Sequence, residues 1–493
     1  MTVPGGGADF LQLSPAAAPV RGLTAWLADA IRAAIMDGRL RAGAPLPASR
    51  LLAGDLGVSR GVIVEAYQRL ADEGLVSARP GTGTRVLGVA RAEPGAARAE
   101  PGVARAEPGA ARAEPGAARP LLVPAHWRER AEIDLSPGVP DLSGFPRAAW
   151  LRAERLVLER ASVADLGYGD PRGSQSLRTE LAGWLARTRG LRAGPGDIIV
   201  VTGVAQALAL LARVLRARGM NEIAVEDPGS RGARDDLAYW GLRPEPVPVD
   251  EHGLHVGELA RGTARTVLLT PAHQFPTGVV LAPQRRRDLL DWATAADALI
   301  VEDDYDAEYR YDRAPVPALH ASAPGLVAYA GSTSKTLAPG MRLGWLVPPG
   351  WLHADLVEAK YASDLGSPAL PQLVLAHLIA GGDLEQHIRL VRKRQRSRRD
   401  ALLRGLRSYL PEGRVQGVAA GLHLLVTFPG LAGPDTAIAE AILRERVLVQ
   451  PLSWHRLRPG VPGIVLGYAA HTPDRLHEAA QRIARALHRR ALL

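Results

Sequence analysis

The 493-residue chain is longer than one hydrophobic core supports, so two or three domains are expected. With no cysteine it has no disulfide, no thiolate chemistry and no Cys-ligated zinc, and its 47% apolar and 23% charged residues are ordinary globular values. The net charge of +9 permits nucleic-acid contact without showing it.

The opening "MTVPGGGADF" lacks a basic segment followed by an apolar one, so no signal peptide is read. The most apolar stretch, "IIVVTGVAQALALLARVL", is interrupted by Thr202, Gly203, Gln206 and Arg213, which argues against a membrane span. A soluble cytoplasmic protein is expected, with no metal site.

After a tail over 1–19, "GLTAWLADAIRAAIMDG" sets Leu23, Leu27, Ile31 and Ile35 on one helix face, with Gly38 as the stop. A second helix is expected from Ser49, then a tight turn at "LGVS". A third follows, capped by Ser59, with Val62, Ala66 and Leu70 facing one way. "LVSARPGTGTRV" reads as strand, Gly-rich turn and strand. Two helices joined by a short turn, with a hairpin behind them, make a winged helix-turn-helix.

Over nearly all of residues 20–87 this string resembles the GntR-type DNA-binding domain. The resemblance implies a double-stranded DNA operator as partner. Arg50, Ser59 and Arg60 would meet phosphates and base edges, and the wing at Thr82, Gly83 and Thr84 the minor groove. A helix N-terminus carrying Ser and Arg suits both tasks.

Residues 91–118 repeat "RAEPGAA" four times, once with Val for Ala. Each copy holds a Pro-Gly pair and no large apolar side chain, so a flexible linker is read over 88–130. As a coil it spans roughly 35 Å, and over about 100 Å when stretched.

From 131 to 493 the pattern is α/β. "DIIVV", "NEIAVED", "RTVLLT" and "ALIVEDD" are strand-like runs separated by helix-length stretches, which predicts a mostly parallel sheet. Ligands gather at the carboxyl ends of such strands. There stands "GSTSKTLAPGMRLGW". Of 60 basic residues only Lys335, Lys360 and Lys393 are lysine, and lysine alone can form a Schiff base with an aldehyde. In "EDDYD", Asp303 and Tyr305 are two apart and point the same way from a strand end. That suits an acid at a pyridine nitrogen and a phenol at a ring oxygen. Arg342 follows Lys335 by seven residues and suits a phosphate, as do the backbone amides of Gly203, Val204 and Ala205 at a strand-to-helix turn. The densest basic run, "RLVRKRQRSRRD", reads as a solvated helix face.

With "YGDPRG" and "TPAHQFPTG", these motifs resemble fold-type I aminotransferases of class I/II. The resemblance implies pyridoxal 5'-phosphate bound to Lys335, Asp303 at the ring nitrogen, Tyr305 at the ring oxygen, and Ser332, Ser334 and Arg342 around the phosphate. Tyr168 would reach the phosphate of a neighbouring subunit. A GntR-type reader tethered to such a body resembles the MocR (PdxR-like) family of regulators. That implies a head-to-tail homodimer that controls transcription in response to the cofactor or to an amine or amino-acid effector, associated with the nucleoid when DNA-bound. The alternative is an active aminotransferase with an appended DNA-binding domain.

Three positions depart from the enzyme pattern. Val465 stands where aminotransferases carry the carboxylate-clamping arginine, with Arg456 and Arg458 as nearby alternatives. Ser230 replaces a common aromatic. Phe275 replaces the usual asparagine, leaving Gln274 or His273 to supply its hydrogen bond. Without the bidentate clamp an amino acid loses a charge-assisted contact, so little or no turnover is expected.

Overall fold

The computed structural model describes residues 11, 13, 22–79, 83–87, 123–311, 316–430 and 433–489. The RAEPGAA repeats and Thr82 lie outside the described residues.

In the N-terminal unit, α1 (Leu23–Met36), α2 (Ser49–Leu56) and α3 (Arg60–Asp72) precede a hairpin of β1 (Val76–Arg79) and β2 (Gly83–Val86). Val76 pairs with Val86 and Arg79 with Gly83. Helix α1 ends before Gly38, whose φ of 81° relieves the chain of a helical conformation. Leu27, Ile31 and Ile35 pack against Leu52, Ile63 and Leu70. On α3 the buried stripe is Ile63, Ala66, Tyr67 and Leu70, whereas Val62 is only half-buried. Ala66 and Leu70 are buried as expected, Ile63 takes the place of Val62, and Tyr67 joins the stripe with its hydroxyl donating to Pro47 O at 2.8 Å. Ser59 occupies the position before α3 but makes no side-chain cap. Leu11, read as part of a tail, is buried in this core.

The body begins earlier than the sequence suggests. Helix α4 (Ala125–Arg130) lies within the segment read as linker, yet its Trp127 packs into the C-terminal core against Trp454, ring centroids 5.3 Å apart. A buried tryptophan gives that end of the segment the apolar anchor that the repeats lack.

Eight strands form the main sheet: β4 (Ile199–Val201), β5 (Glu222–Asp227), β6 (Arg243–Asp250), β7 (Gly253–Leu254), β8 (Thr266–Leu269), β9 (Leu299–Asp304), β10 (Val327–Ser332) and β11 (Gly344–Val347). Their order is β4-β11-β10-β9-β8-β5-β6-β7. The run from β10 to β6 is parallel, as expected, while β11 is antiparallel to both its neighbours. Helices α7 (Val204–Ala217), α8 (Arg231–Tyr239) and α11 (Gly350–Asp364) cover one face, where Val201, Val225 and Val301 meet Leu211, Leu237 and Leu356. The other face is covered by α5 (Arg147–Arg160), α6 (Gln175–Arg189), α9 (Val256–Leu259), α10 (Pro283–Ala295) and α12 (Ala369–Ala380). Burial on both faces explains why these strands read as continuous apolar runs.

Helix α13 (Asp383–Tyr409) crosses to a smaller unit. There a sheet of β12 (Arg414–Gln416), β13 (His423–Thr427), β16 (Gly463–Gly467) and β15 (Gln450–Pro451) packs on α14 (Asp435–Arg444) and α15 (Pro473–Arg489). Strands β3 (Ile133–Asp134) and β14 (Val447–Leu448) pair beside it. The basic run on α13 is not a solvated face throughout. Arg398 and Arg399 are buried, the first bridging to Asp141 at 2.9 Å and the second donating to Val418 O at 2.8 Å while its guanidinium lies 4.6 Å from the centre of the Tyr311 ring.

The end of α3 rests against the body, where Arg287 donates to Gly74 O at 3.2 Å. A cavity of about 480 Å³ at this seam is lined by Arg32 and Glu73 on one side and by Arg189, Val316 and Pro317 on the other. Beneath it Arg189 Nε donates to Asp304 Oδ2 at 2.5 Å, with both side chains no more than 3% exposed. Breaking a buried pair strands one charge, so Asp304→Ala is expected to cost about 3–5 kcal/mol, read as a lowered urea midpoint. The double variant Arg189→Met, Asp304→Leu should recover most of that loss.

Candidate cofactor site

The carboxyl ends of the parallel strands converge on a cavity of about 320 Å³ between the large and small units. Each strand end delivers one function. After β4, Gly203 turns the chain into α7, and Val204 and Ala205 present the helix N-terminus to the cavity. Gly203 has φ 104°, and a Cβ there would stand 3.3 Å from Arg342 Nη1, so glycine lets the guanidinium close over that terminus. Ser332 ends β10, and Ser334, Lys335 and Arg342 follow on the loop to β11. Two guanidinium nitrogens, helix amides and hydroxyls around one point make an anion site of phosphate type.

Lys335 Nζ donates to Gly138 O at 2.6 Å. Burial pushes its pKa down, opposed by Asp306 and Asp303, which favours the neutral amine that attacks an aldehyde. A Cβ on Gly138 would lie 3.3 Å from Nζ, so glycine keeps the approach to the amine open. Of the other lysines, Lys360 is buried against Asp364 at 2.6 Å and Lys393 is exposed. Among the three, Lys335 alone lines this cavity.

Asp303 enters from the end of β9. Its Oδ1 is sealed from water and has no hydrogen-bond partner among the described residues. Burial, with Asp304 nearby, pushes its pKa up to about 7, and Lys335 partly offsets the shift. A carboxylate in this state is completed by a cationic N–H donor such as a pyridinium. Tyr305 lines the same wall, its pKa raised well above the usual value by burial, then by Asp306 and Asp303, so it stays a donor.

The cavity is therefore built to take a ring with a basic nitrogen, an aldehyde and a phosphate. Residues 23–86 match the bacterial regulatory proteins of the gntR family, and residues 130–483 match aminotransferase class I and II. The probable rhizopine catabolism regulatory protein MocR of Rhizobium meliloti is 33% identical over 92% of this chain and 91% of its own length. The HTH-type pyridoxine biosynthesis transcriptional regulator PdxR of Corynebacterium glutamicum is 33% identical over 94% of this chain and 95% of its own. The chain belongs to the MocR (PdxR-like) family of GntR-type transcriptional regulators. Among solved structures, the body resembles Pyrococcus horikoshii kynurenine aminotransferase, with TM-score 0.68 and 28% identity over 73% of this chain and 91% of that one. It is also similar to an α-aminoadipate aminotransferase of Thermus thermophilus complexed with N-(5'-phosphopyridoxyl)-L-leucine, with TM-score 0.67 and 26% identity over 75% and 95% of the two chains.

Like its relatives, this MocR-family chain is a DNA-binding regulator with a fold-type I body, and its cofactor is pyridoxal phosphate. The unpartnered Asp303 Oδ1 and the Gly203–Arg342 cradle fit that group. No described helix is long and apolar enough to cross a membrane.

The departures resolve as follows. Val465 is buried in a small apolar cluster with Leu425 and Leu452. Neither expected substitute reaches the cavity, since Arg456 donates to Val461 O and Arg458 to Pro246 O on the exposed side. Ser230 instead caps α8, accepting from Ala233 N at 3.3 Å. Gln274 does not replace the lost asparagine, because its amide spans Pro228 O, Phe275 O and Thr277 N. Phe275 presents its ring to the cavity between Tyr305, His423 and His455. His273, Asp306 and His423 bring ligand-type atoms within 4.8 Å of one another, but His273 Nδ1 is engaged with Asp306 and His423 Nε2 with Pro276 O.

Arg231, His423, Gln450 and His455 also line the cavity and were not expected from the sequence. Burial lowers both imidazoles, His455 to about 3, so they are neutral at physiological pH. Arg231 was within reach of sequence reasoning, as the first residue of a helix after "EDPGS". The other three arrive from the small unit and carry no spacing signal. Tyr168 does not line this cavity and is 86% exposed. On the reader, Arg50, Ser59 and Arg60 are exposed near the starts of α2 and α3, where Arg60 donates to Ser49 Oγ, while Gly83 and Thr84 begin β2.

The raised Asp303 value sets a pH dependence. An unfolded aspartate ionises near 4, so the folded, cofactor-free chain is penalised as pH rises past 4, and fully so above about 7. Asp303→Asn avoids the penalty. Without cofactor it should gain in thermal stability over the parent between pH 5 and pH 8. With cofactor it should bind more weakly, because a neutral amide is a poor partner for a ring cation.

Proposed function

We propose that this regulator uses its body as a sensor of pyridoxal phosphate, with little or no transaminase turnover. In this reading Lys335 attaches the aldehyde, Asp303 faces the ring nitrogen and Tyr305 the ring oxygen. Gly203, Val204, Ala205, Ser332, Ser334 and Arg342 hold the phosphate. The reading is carried by one contrast: a full set of cofactor-type residues surrounds Lys335, while Val465 sits in an apolar cluster where a carboxylate clamp is needed. When bound, the cofactor supplies an electrophilic aldehyde and an electron-withdrawing ring. The protein's part is to hold the ring, exclude water and keep the Lys335 amine neutral. An amine or amino-acid effector is the second reading, favoured by the far wall of Arg231, Gln450 and His455, which the cofactor residues leave free.

The reader would act from the cytoplasm, on the nucleoid, through Arg50, Ser59 and Arg60 at the DNA and the Gly83–Thr84 wing in the minor groove. A two-fold dimer would match two half-sites, and the exposed Tyr168 would complete the partner's phosphate site, consistent with a head-to-tail arrangement. The tether over 88–122 is long enough for a reader to rest on either body. The cofactor shifts DNA affinity only if it binds one arrangement of readers more tightly than another.

The test is binding of full-length protein to the DNA upstream of its own gene at fixed salt, with and without pyridoxal phosphate. A cofactor-dependent change in affinity or stoichiometry is expected, and Lys335→Ala should lose it together with the visible absorption of the bound cofactor. Steady keto-acid production from a panel of amino donors at ordinary enzymatic rates would defeat the sensor reading. Arg60→Ala should weaken binding across sequences and reduce the slope of log K against log salt by about one per lost phosphate contact.

A further inference from the structure

Behind Tyr305 lies a buried pair that the reading above leaves without a task. Tyr305 Oη is 3.0 Å from His273 Nδ1 and 3.1 Å from His273 O. The same Nδ1 lies 2.9 and 3.2 Å from the two oxygens of Asp306. Both side chains are 1% exposed. On the opposite edge of the ring, His273 Nε2 is sealed from water and has no partner among the described residues.

That orphaned nitrogen decides the tautomer. A hydrogen on Nε2 would be a buried donor with nothing to accept it, which costs more than a bare lone pair on a neutral ring. The imidazole therefore carries its hydrogen on Nδ1, where Asp306 accepts it. Tyr305 Oη beside that N–H faces a donor and meets it with a lone pair. Asp306 is within reach of the hydroxyl too but is engaged by that N–H, which leaves the hydroxyl hydrogen the His273 carbonyl or the cavity. A negatively charged ring oxygen is the stronger acceptor of the two. Phe275 stands beside Tyr305, ring centroids 6.3 Å apart, and offers the cavity no donor.

We infer that Asp306 and His273 form a positioning pair that turns the Tyr305 hydroxyl hydrogen toward the ring oxygen of the cofactor. The inference rests on the placement of Tyr305 at the ring oxygen. Burial and the neighbouring Asp306 and Asp303 carboxylates keep Tyr305 protonated, so the donor is present across the working pH range. The other charged groups nearby are Lys335 and Glu226, the latter committed to Thr270 through both its amide and its hydroxyl.

The experiment is a pH titration of the visible absorption of cofactor-loaded, full-length protein. A donor to the ring oxygen stabilises its anionic form and lowers the pH midpoint at which the band changes. Tyr305→Phe should raise the midpoint by about one pH unit, a tenfold shift. His273→Ala and His273→Gln should shift it the same way by less, because neither places an N–H at the Nδ1 position. His273→Asn, whose amide does, should return it toward the parent value. Tyr305→Phe combined with His273→Gln should move no further than Tyr305→Phe alone. The inference is overturned if Tyr305→Phe shifts the midpoint while both His273→Ala and His273→Gln leave it untouched, or if the double shift is the sum of the singles. No shift in Tyr305→Phe would instead remove the placement of Tyr305 itself, and the inference with it.

Discussion

A carboxylate oxygen shut away from water without a donor is a debt the fold must settle, and among such oxygens Asp303 Oδ1 belongs to a residue that lines the cofactor cavity. Lys335 and the Gly203–Arg342 cradle line the same cavity as Asp303, so a ring held at Asp303 would find an amine and an anion site within it. The strand that holds Asp303 also works on its other face. Alternation sends Asp303 and Tyr305 toward the cofactor, and Glu302 and Asp304 away from it. Glu302 accepts from the backbone of Leu319 and His320, while Asp304 accepts from Arg189 and Tyr329. Five letters, "EDDYD", thus anchor the cofactor wall and the body beneath the reader.

The two sides of the cavity differ in chemistry. The large-unit wall carries Lys335, Asp303, Tyr305 and Arg342, and the aminotransferase fold is recovered over 73% of the chain. The small-unit wall differs. Its neutral His423 and His455, with Gln450, line the cavity, while Leu425, Leu452 and Val465 pack together in an apolar cluster outside that lining. Fold similarity carries the cofactor, whereas turnover depends in addition on how a substrate is held in the transition state.

The legible part of this site was the part whose chemistry is local in the sequence. Lys335, Arg342, Asp303 and Tyr305 sit in two short strings, and a scarce lysine among arginines marks its own importance. The reader was legible for the same reason, because helix, turn, helix and hairpin follow one another without interruption. What escaped depends on long-range packing. His423, Gln450 and His455 come from segments more than a hundred residues away from Asp303, and nothing local predicts that they share a cavity with it. The burial of Arg398 and Arg399 requires Asp141 and Tyr311, which the basic run gives no hint of. The α3 stripe missed Ile63 and Tyr67 because a spacing of four, followed too strictly, drifts off a helix of 3.6 residues per turn.

Coupling between cofactor and DNA has a physical route in this arrangement. The guanidinium of Arg189 is held by Asp304, one residue along the strand from the acid at the cofactor, and it lines the seam where the end of α3 meets the body. On the reader's side of that seam, Arg32 and Glu73 form a two-pronged ion pair at 2.6 Å. Both pairs are poorly exposed and have fixed partners, so they join the two sides of the seam to packed structure rather than to solvent. Proximity alone is no coupling free energy. It becomes one when the filled and empty sites favour different seats for the reader, and a strand with the cofactor on one face and the reader's support on the other is where such a preference would be set.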